Sequence, residues 1–264
     1  MLKLCVAGVG GRMGGAILRE IASKGYQLTG AIEALGSPFV GKNLRELGII
    51  KDDVFVSDSN KIYEATKNSD IYLTFTTPEA ELQNIPKVVE LKKKIVMGTT
   101  GFNQSQSEQL KEIVNGKVPA VFSPNFSVGI TILFKIAKEL NIFPNNYDFS
   151  ITEIHHTGKK DAPSGTAKKL GEIIASIRKY NKNIYGREGF NPRKDTELEI
   201  SSLRAGGIPG IHDLIIAGPY EMLRIEHTAF SRDVFAQGAV FAAEWLSHRT
   251  RKRIFSMEHV LGIS

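Results

Sequence analysis

A short apolar run, a glycine cluster and an amphipathic stretch open the chain, and together they leave few folds available. Leu2–Ala7 reads as a buried strand, Gly8-Val9-Gly10-Gly11-Arg12-Met13-Gly14 as a turn, and Ala16, Ile17, Ile21 and Ala22 fall on one face of a helix. Strand, glycine turn and helix in this order suit a dinucleotide. The glycines let backbone approach the pyrophosphate, and the helix N-terminus stabilises its charge. The familiar G-x-G-x-x-G spacing would put a third glycine where Met13 stands; here the glycines are Gly8, Gly11 and Gly14, with Gly10 in addition. The next apolar run, Tyr26 to Ile32, ends at Glu33, where a carboxylate would hold the adenosine ribose hydroxyls. Ala34 and Leu35 follow rather than an arginine, which tilts the chemistry toward NAD(H), although Arg12 and Lys42 could serve a 2′-phosphate. A plain solvated carboxylate at a strand end is the competing reading of Glu33.

The alternation continues. Ile71 to Phe75 reads as a strand, Pro78 to Lys93 as a helix, Lys94 to Met97 as a strand, Ser105 to Val114 as a helix, Ala120 to Phe122 as a strand, and Phe126 to Leu140 as a helix. Such a succession predicts a parallel sheet covered by helices on both faces. The pattern then changes: longer strands are expected near 147–156, 196–204, 212–218 and 221–228, with one helix at 164–179 and a polar loop at 181–195. An apolar helix from Val234 to Leu246 should lead back to the first domain. The expected fold class is therefore α/β, a parallel nucleotide-binding sheet (residues 1–126 and 239–264) plus a smaller α+β domain with a mixed or antiparallel sheet (127–238). Ligands of open α/β sheets bind at strand-end loops. Phe75-Thr76, Gly98-Thr99-Thr100, and Ser123 with Asn125-Phe126 are such loops, and their hydroxyls and glycines suit a nicotinamide carboxamide, though turn chemistry alone also explains them.

The second chemically dense stretch is Glu153-Ile154-His155-His156-Thr157-Gly158-Lys159-Lys160-Asp161-Ala162-Pro163-Ser164-Gly165-Thr166. The run before it alternates like a strand, and Ala167, Leu170, Ile173, Ile174 and Ile177 after it have helical spacing. Ser164 is placed as an N-cap, so the backbone N–H groups of Gly165 and Thr166 offer an anion site. Singly, each feature is ordinary: paired loop histidines, an exposed lysine pair, a capped helix. Their coincidence in one loop is the layout of a site for an acidic substrate.

Composition limits the alternatives. A chain of 264 residues, 42% hydrophobic and 23% charged, has the make-up of a globular protein with ample core. Its single cysteine, Cys5, cannot form an internal disulfide or support a cysteine metal site, and no metal is expected; a reducing cytoplasmic setting fits. No apolar run has the length of a membrane span, and the N-terminus enters a strand without a signal peptide. The formal charge of +6 and the run His248-Arg249-Thr250-Arg251-Lys252-Arg253 raise nucleic-acid binding. That run, however, lies between an amphipathic helix and the apolar Ile254–Met257, as a solvated turn would. Positive charge is equally explained by an anionic cofactor and substrate.

In order along the chain, Gly8–Gly14 with Arg12-Met13, Gly98-Thr99-Thr100-Gly101, Asn125-Phe126-Ser127-Val128-Gly129, and His155-His156 through Lys159 to Asp161-Ala162-Pro163-Ser164-Gly165-Thr166 resemble one family. It is that of the 4-hydroxy-tetrahydrodipicolinate (dihydrodipicolinate) reductases of lysine and diaminopimelate biosynthesis. Arg204-Ala205-Gly206-Gly207, Pro209-Gly210 with His212, and Ser231-Arg232 with Phe235–Ala239 extend the likeness over essentially the whole chain. The resemblance implies a Rossmann-like N-terminal domain binding NADH or NADPH through Gly8, Gly10, Gly11, Arg12, Met13, Gly14, Glu33, Phe75, Thr76, Gly98, Thr99, Thr100, Ser123, Asn125 and Phe126. It implies a cyclic dicarboxylate gripped by His156, Lys159, Gly165 and Thr166, with His155 as proton donor and Lys159 as its cationic partner. It also implies domain closure, a homotetramer built through the second domain's sheet, and no membrane or nucleic-acid partner. Thr74 and Thr77 depart from the family, which often carries an aspartate at the first position and in some members an arginine at the second. Two other classes share the opening glycines: a dehydrogenase acting on an amino dicarboxylate, and a non-catalytic NAD(P)-binding sensor. Neither needs the histidine–lysine loop.

Overall fold

The computed structural model describes residues 1–263, and the chain forms two compact units: Met1–Val128 with the segment from Arg232 onward, and Gly129–Ser231.

In the first unit, β1 (Lys3–Ala7), α1 (Arg12–Ser23), β2 (Gln27–Glu33), β3 (Val56–Asp58), α2 (Ile62–Thr66), β4 (Ile71–Thr74), α3 (Pro78–Glu90), β5 (Lys94–Met97), α4 (Gln104–Val114) and β6 (Ala120–Phe122) follow in order. The alternation read from the sequence is present; β3 is an additional short strand. All strand pairs of this sheet are parallel, in the spatial order β3-β2-β1-β4-β5-β6, with a last short strand (Ile254–Phe255) beside β6. Successive side chains of a strand face opposite ways, so Leu4 and Val6 join one core with Ala16, Ile17, Ile21, Ala239, Val240 and Ala243, while Cys5 and Ala7 join another with Tyr72, Ile85, Val88, Leu110 and Val114. Both faces are dry. Each fully buried Leu or Ile contributes about 1.5–3 kcal/mol, which is why these strands read as continuous apolar runs.

The chain runs outward from β1 through β2 to β3, then returns to β4 on the other side of β1 and runs outward again through β5 and β6. That reversal between β1 and β4 is a topological switch point, the place where parallel α/β sheets bind ligands at their strand C-termini.

The second unit carries α5 (Val128–Lys138), β7 (Asp148–His155), α6 (Gly165–Arg178), β8 (Lys182–Ile184), β9 (Glu197–Arg204), β10 (Ile211–Ala217) and β11 (Met222–Thr228). Its sheet has the order β11-β10-β7-β9-β8: β10 runs antiparallel to β7 and β11, while β9 runs parallel to β7 and β8. The mixed alternative was the right one. The stretch 181–195, expected as loop, contributes the three-residue edge strand β8 before turning at Gly186. The helix expected at 126–140 is shorter, because Asn125 and Ser127 form a turn before Val128 and a 3-10 turn at Leu140–Ile142 ends it. Phe149, Ile151, Leu170, Ile174, Leu198, Ile200, Leu214 and Ile216 form this unit's core.

The chain closes with α7 (Asp233–Ser247), β12 (Ile254–Phe255) and α8 (Met257–Leu261) in the first unit. Residues 248–253 form the turn expected there. Arg249 stacks on Trp245 and Arg253 on Phe255, with cation-to-centroid distances of 4.3 and 4.9 Å, so part of the basic run is used in packing. No helix among the described residues is long and apolar enough to cross a membrane.

Candidate active site

The nucleotide cradle lies at the switch point. Gly8 takes φ +83°, which L side chains rarely adopt, and its N–H donates to Ile32 O at 2.9 Å while Gly11 N–H donates to Gly8 O at 3.0 Å. A Cβ on Gly14 would stand 2.1 Å from Gly8 O. The close helix–strand approach therefore requires glycine at 14 rather than 13, which explains why Met13 is tolerated. Gly11 caps α1 without a side-chain bond, and no acidic residue occupies its first turn. The helix end is thus suited to an anion such as a pyrophosphate. Gly10 and Arg12 are exposed and Met13 is half-buried.

Glu33 ends β2 with its carboxylate over this turn: Oε2 accepts Gly10 N–H at 2.7 Å and Oε1 accepts Ala34 N–H at 3.0 Å. The loops after β4 and β5 are tied together. Gly98 N–H donates to Thr74 O at 2.9 Å and Thr76 N–H to Thr99 Oγ1 at 2.9 Å. Thr100 is exposed beside them. After β6, Ser123 N–H donates to Met97 O at 3.1 Å, and Ser123 Oγ donates to Asn125 O at 2.5 Å. Phe126 is buried to 1% exposure with its ring centroid 5.6 Å from that of Phe75, so its side chain supports Phe75 rather than facing solvent. The structure therefore gathers the expected cofactor residues along one edge of the sheet, at the ends of β1, β2, β4, β5 and β6. An open cavity of about 580 Å³, lined by Leu2, Tyr26, Asp70, Lys94, Glu244 and His248, lies at the other end of the strands. Two of its polar groups are already engaged, since Lys94 donates to Ser247 O and Asp70 accepts Lys3 N–H.

The second unit brings a buried carboxylate and two histidines together. β7 points Phe149, Ile151, Glu153 and His155 inward, so the face passes from core to carboxylate to imidazole as the strand ends. Glu153 Oε2 lies 2.5 Å from His155 Nδ1, and Glu153 Oε1 accepts the Ser164 N–H at 3.1 Å. Arg204, opposite His155 in the β7–β9 register, clamps the same carboxylate through both terminal nitrogens at 2.9 and 2.8 Å. Burial opposes the charge of Glu153, but donation from Arg204, His155 and the Ser164 N–H outweighs it and holds the pKa below the usual carboxylate range. For His155 burial is the largest influence and lowers the pKa. Glu153 works against it, Lys159 and Arg204 reinforce it, and the net shift is downward.

Ser164 caps α6 as expected, accepting Ala167 N–H at 3.2 Å, and its hydroxyl also meets His212 Nε2 at 3.1 Å. His212 stands edge-on to His155 with ring centroids 5.1 Å apart; burial, then the neighbouring His155 charge, push its pKa down to about 3. Gly165 is exposed with open space over its α-carbon, and α6 has no acidic residue in its first turn. Lys159 Nζ pairs with Asp161 at 2.8 Å. Partial burial works against the Asp161 charge, yet the Lys159 bond holds its carboxyl below the usual range. His156 is half-buried at the loop's start, its Nδ1 3.4 Å from where a Cβ on Gly158 would stand. A Cβ on Gly210 would come within 3.1 Å of His155 Nε2, so glycine there keeps that nitrogen's flank clear.

Sequence reasoning singles out His155, His156, Lys159, Gly165 and Thr166, and gives no role to Glu153, the group that orients the imidazole. A charged residue at the inward position 153, between Ile151 and His155, was the available signal. Arg204 and His212 reach the site only through the registers of β9 and β10, which spacing does not reveal. Among the described residues no group of three or more His, Cys, Asp or Glu is arranged to hold a metal ion.

Two family models match the chain: dihydrodipicolinate reductase, N-terminus, over residues 2–126, and dihydrodipicolinate reductase, C-terminus, over residues 129–261. A 4-hydroxy-tetrahydrodipicolinate reductase of Syntrophotalea carbinolica is 40% identical over 270 aligned positions, covering 100% of both chains. One from Geotalea daltonii is 37% identical, again over 100% of both. Among solved structures, the dipicolinate-bound dihydrodipicolinate reductase of Paenisporosarcina sp. TG-14 superposes with a TM-score of 0.74 at 24% identity, covering 97% of each chain.

Proposed function

This chain belongs to the dihydrodipicolinate reductase family, and we propose from that premise that it reduces 4-hydroxy-tetrahydrodipicolinate, with loss of water, in lysine and diaminopimelate biosynthesis. The cofactor is NADH or NADPH, whose nicotinamide supplies the hydride when bound. The observation that carries the reading at residue level is the Glu153–His155 pair beside the start of α6, a proton donor next to an anion site.

His155 supplies the proton that completes the reduction. Glu153 accepts from Nδ1, so the transferable proton sits on Nε2, on the flank that Gly210 leaves clear. In the free protein the pKa of His155 lies below the ordinary imidazole value; a doubly negative substrate beside it raises the pKa and loads the proton where it is needed. Lys159 exchanges its Asp161 contact for a substrate carboxylate. His156 and the N–H groups of Gly165 and Thr166 hold the carboxylates. On the nucleotide side, the α1 N-terminus and Gly8–Gly14 take the pyrophosphate, and the loops of Phe75-Thr76, Gly98-Thr99-Thr100 and Ser123–Phe126 take the nicotinamide. Glu33 takes the ribose hydroxyls, which favours NADH because a 2′-phosphate would meet a carboxylate there.

We infer a division of labour between residues 1–126 with 239–264, for nucleotide binding, and 127–238, for substrate binding and assembly. A homotetramer through the second sheet is supported by the edge strand β11, which exposes Met222 and Leu223. A cytoplasmic setting fits the one cysteine, buried in β1. The activity is tested by generating the unstable substrate in place from pyruvate and aspartate semialdehyde with its upstream synthase. Substrate-dependent oxidation of NADH or NADPH is expected, and oxidation of neither contradicts the reading.

A further inference from the structure

Beneath the loops after β4 and β5 lies a carboxylate that the chemistry above does not use. Glu81, in the first turn of α3, is fully buried. Its Oε1 accepts three hydroxyl protons: Thr74 Oγ1 at 2.7 Å, Thr76 Oγ1 at 2.6 Å and Thr99 Oγ1 at 2.6 Å. Its Oε2 is buried with no hydrogen-bond partner among the described residues, and no ion pair there includes Glu81. A buried carboxylate without a cation costs stability. Its role is therefore better sought in what it does to the three hydroxyls.

A threonine hydroxyl has one proton and two lone pairs. Donation to Glu81 commits that proton inward, so each hydroxyl meets anything outside as an acceptor only. Thr99 Oγ1 already accepts the Thr76 N–H. Thr76 Oγ1 keeps its lone pairs, and Thr76 is half-buried at the crevice, its methyl 3.2 Å from where a Cβ on Gly8 would stand. Resting on the reading that these loops hold the nicotinamide, we propose that Glu81 is a positioning residue that sets Thr76 as a hydrogen-bond acceptor, selecting a carboxamide presented through its N–H₂ group. The threonine pair thereby discriminates between ring substituents that can donate and those that cannot.

The test is nucleotide binding without substrate, by calorimetric titration of NADH and of its 3-acetylpyridine analogue, in which a methyl ketone replaces the carboxamide and no N–H remains. The wild-type protein is expected to bind NADH about tenfold more tightly than the analogue, the upper range for one neutral hydrogen bond. Glu81→Leu frees the hydroxyl protons and should bring the two affinities together. Glu81→Gln keeps an acceptor oxygen without the charge and should restore the preference, an outcome that a purely charge-based role would not give. Thr76→Val removes the acceptor and one of the three hydroxyl bonds to Glu81 while leaving the carboxylate and its Thr74 and Thr99 contacts in place, so it reads the same effect if Glu81→Leu does not fold. A wild-type preference that persists in Glu81→Leu or in Thr76→Val overturns the proposal while leaving the cofactor site intact. A wild-type protein that binds neither nucleotide overturns the cofactor reading itself.

Discussion

Glu153 and His155 occupy successive inward positions of one strand, and Glu153 Oε2 meets His155 Nδ1 at 2.5 Å. Neither side chain can turn away, because Arg204 and the Ser164 N–H hold the carboxylate from the other side. The pair makes position 153 a determinant of the pKa and tautomer of His155. Glu153→Gln removes the charge that raises the His155 pKa, leaving burial, Lys159 and Arg204, all of which lower it. In the wild type, kcat/KM should fall as pH rises through a value below the ordinary imidazole 6.5. In Glu153→Gln that limb should move to still lower pH. A pH–rate profile with an unmoved limb removes Glu153 from this role.

Coenzyme choice should rest on Glu33. Its carboxylate, fixed by Gly10 and Ala34 N–H groups, occupies the end of β2. Glu33→Ala removes ribose hydrogen bonds to NADH and also a repulsion toward NADPH. The Kd for NADH is expected to rise by about tenfold, with NADPH binding unchanged or tighter. Equal weakening of both, measured by fluorescence titration, would assign Glu33 to the turn alone.

Lys159 is expected to matter twice. Its ammonium pairs with Asp161 in the free protein, and its charge acts on His155. Lys159→Ala should raise KM for the dicarboxylate and lower kcat, by roughly 10- to 100-fold in kcat/KM for a lost charged contact. Unaltered kinetics would return this lysine to an ordinary surface role.

The buried histidines make a prediction about stability. His212 has a folded-state pKa of about 3, well below the unfolded 6.5, and His155 and His227 are also lowered, burial being the first cause for each. Between those values the unfolded chain binds more protons, so stability rises with pH in this window. The contribution is complete above about 6.5 and is lost as pH falls toward 3. Melting temperature should therefore drop steadily below pH 6.5, and less steeply in His212→Gln. Parallel curves for the two proteins would show that His212 does not titrate on unfolding.

Much of this molecule is legible in its sequence because its chemistry is local. The β1 run, the Gly8–Gly14 turn and the face of α1 are contiguous, and so are β7, the histidine–lysine loop and the Ser164 cap. The contacts that spacing does not disclose are assembled across the chain. Arg204 and His212 arrive through the register of strands β9 and β10, and Glu81 looks like any helix charge until Thr74, Thr76 and Thr99 are seen around it. The same contact gives the Thr74 departure a structural account, since its hydroxyl donates to a carboxylate brought from α3. β3 and β8 escaped notice because three-residue edge strands carry too little alternation to read.

The most direct test of the account is His155→Ala, assayed for turnover and for NADH affinity together. Loss of a positioned general acid should lower kcat by about 100- to 10,000-fold, while the nucleotide, held by the first unit, keeps its wild-type Kd. Turnover equal to the wild type would contradict His155 as the proton donor, and with it the central claim made for the Glu153–His155 pair.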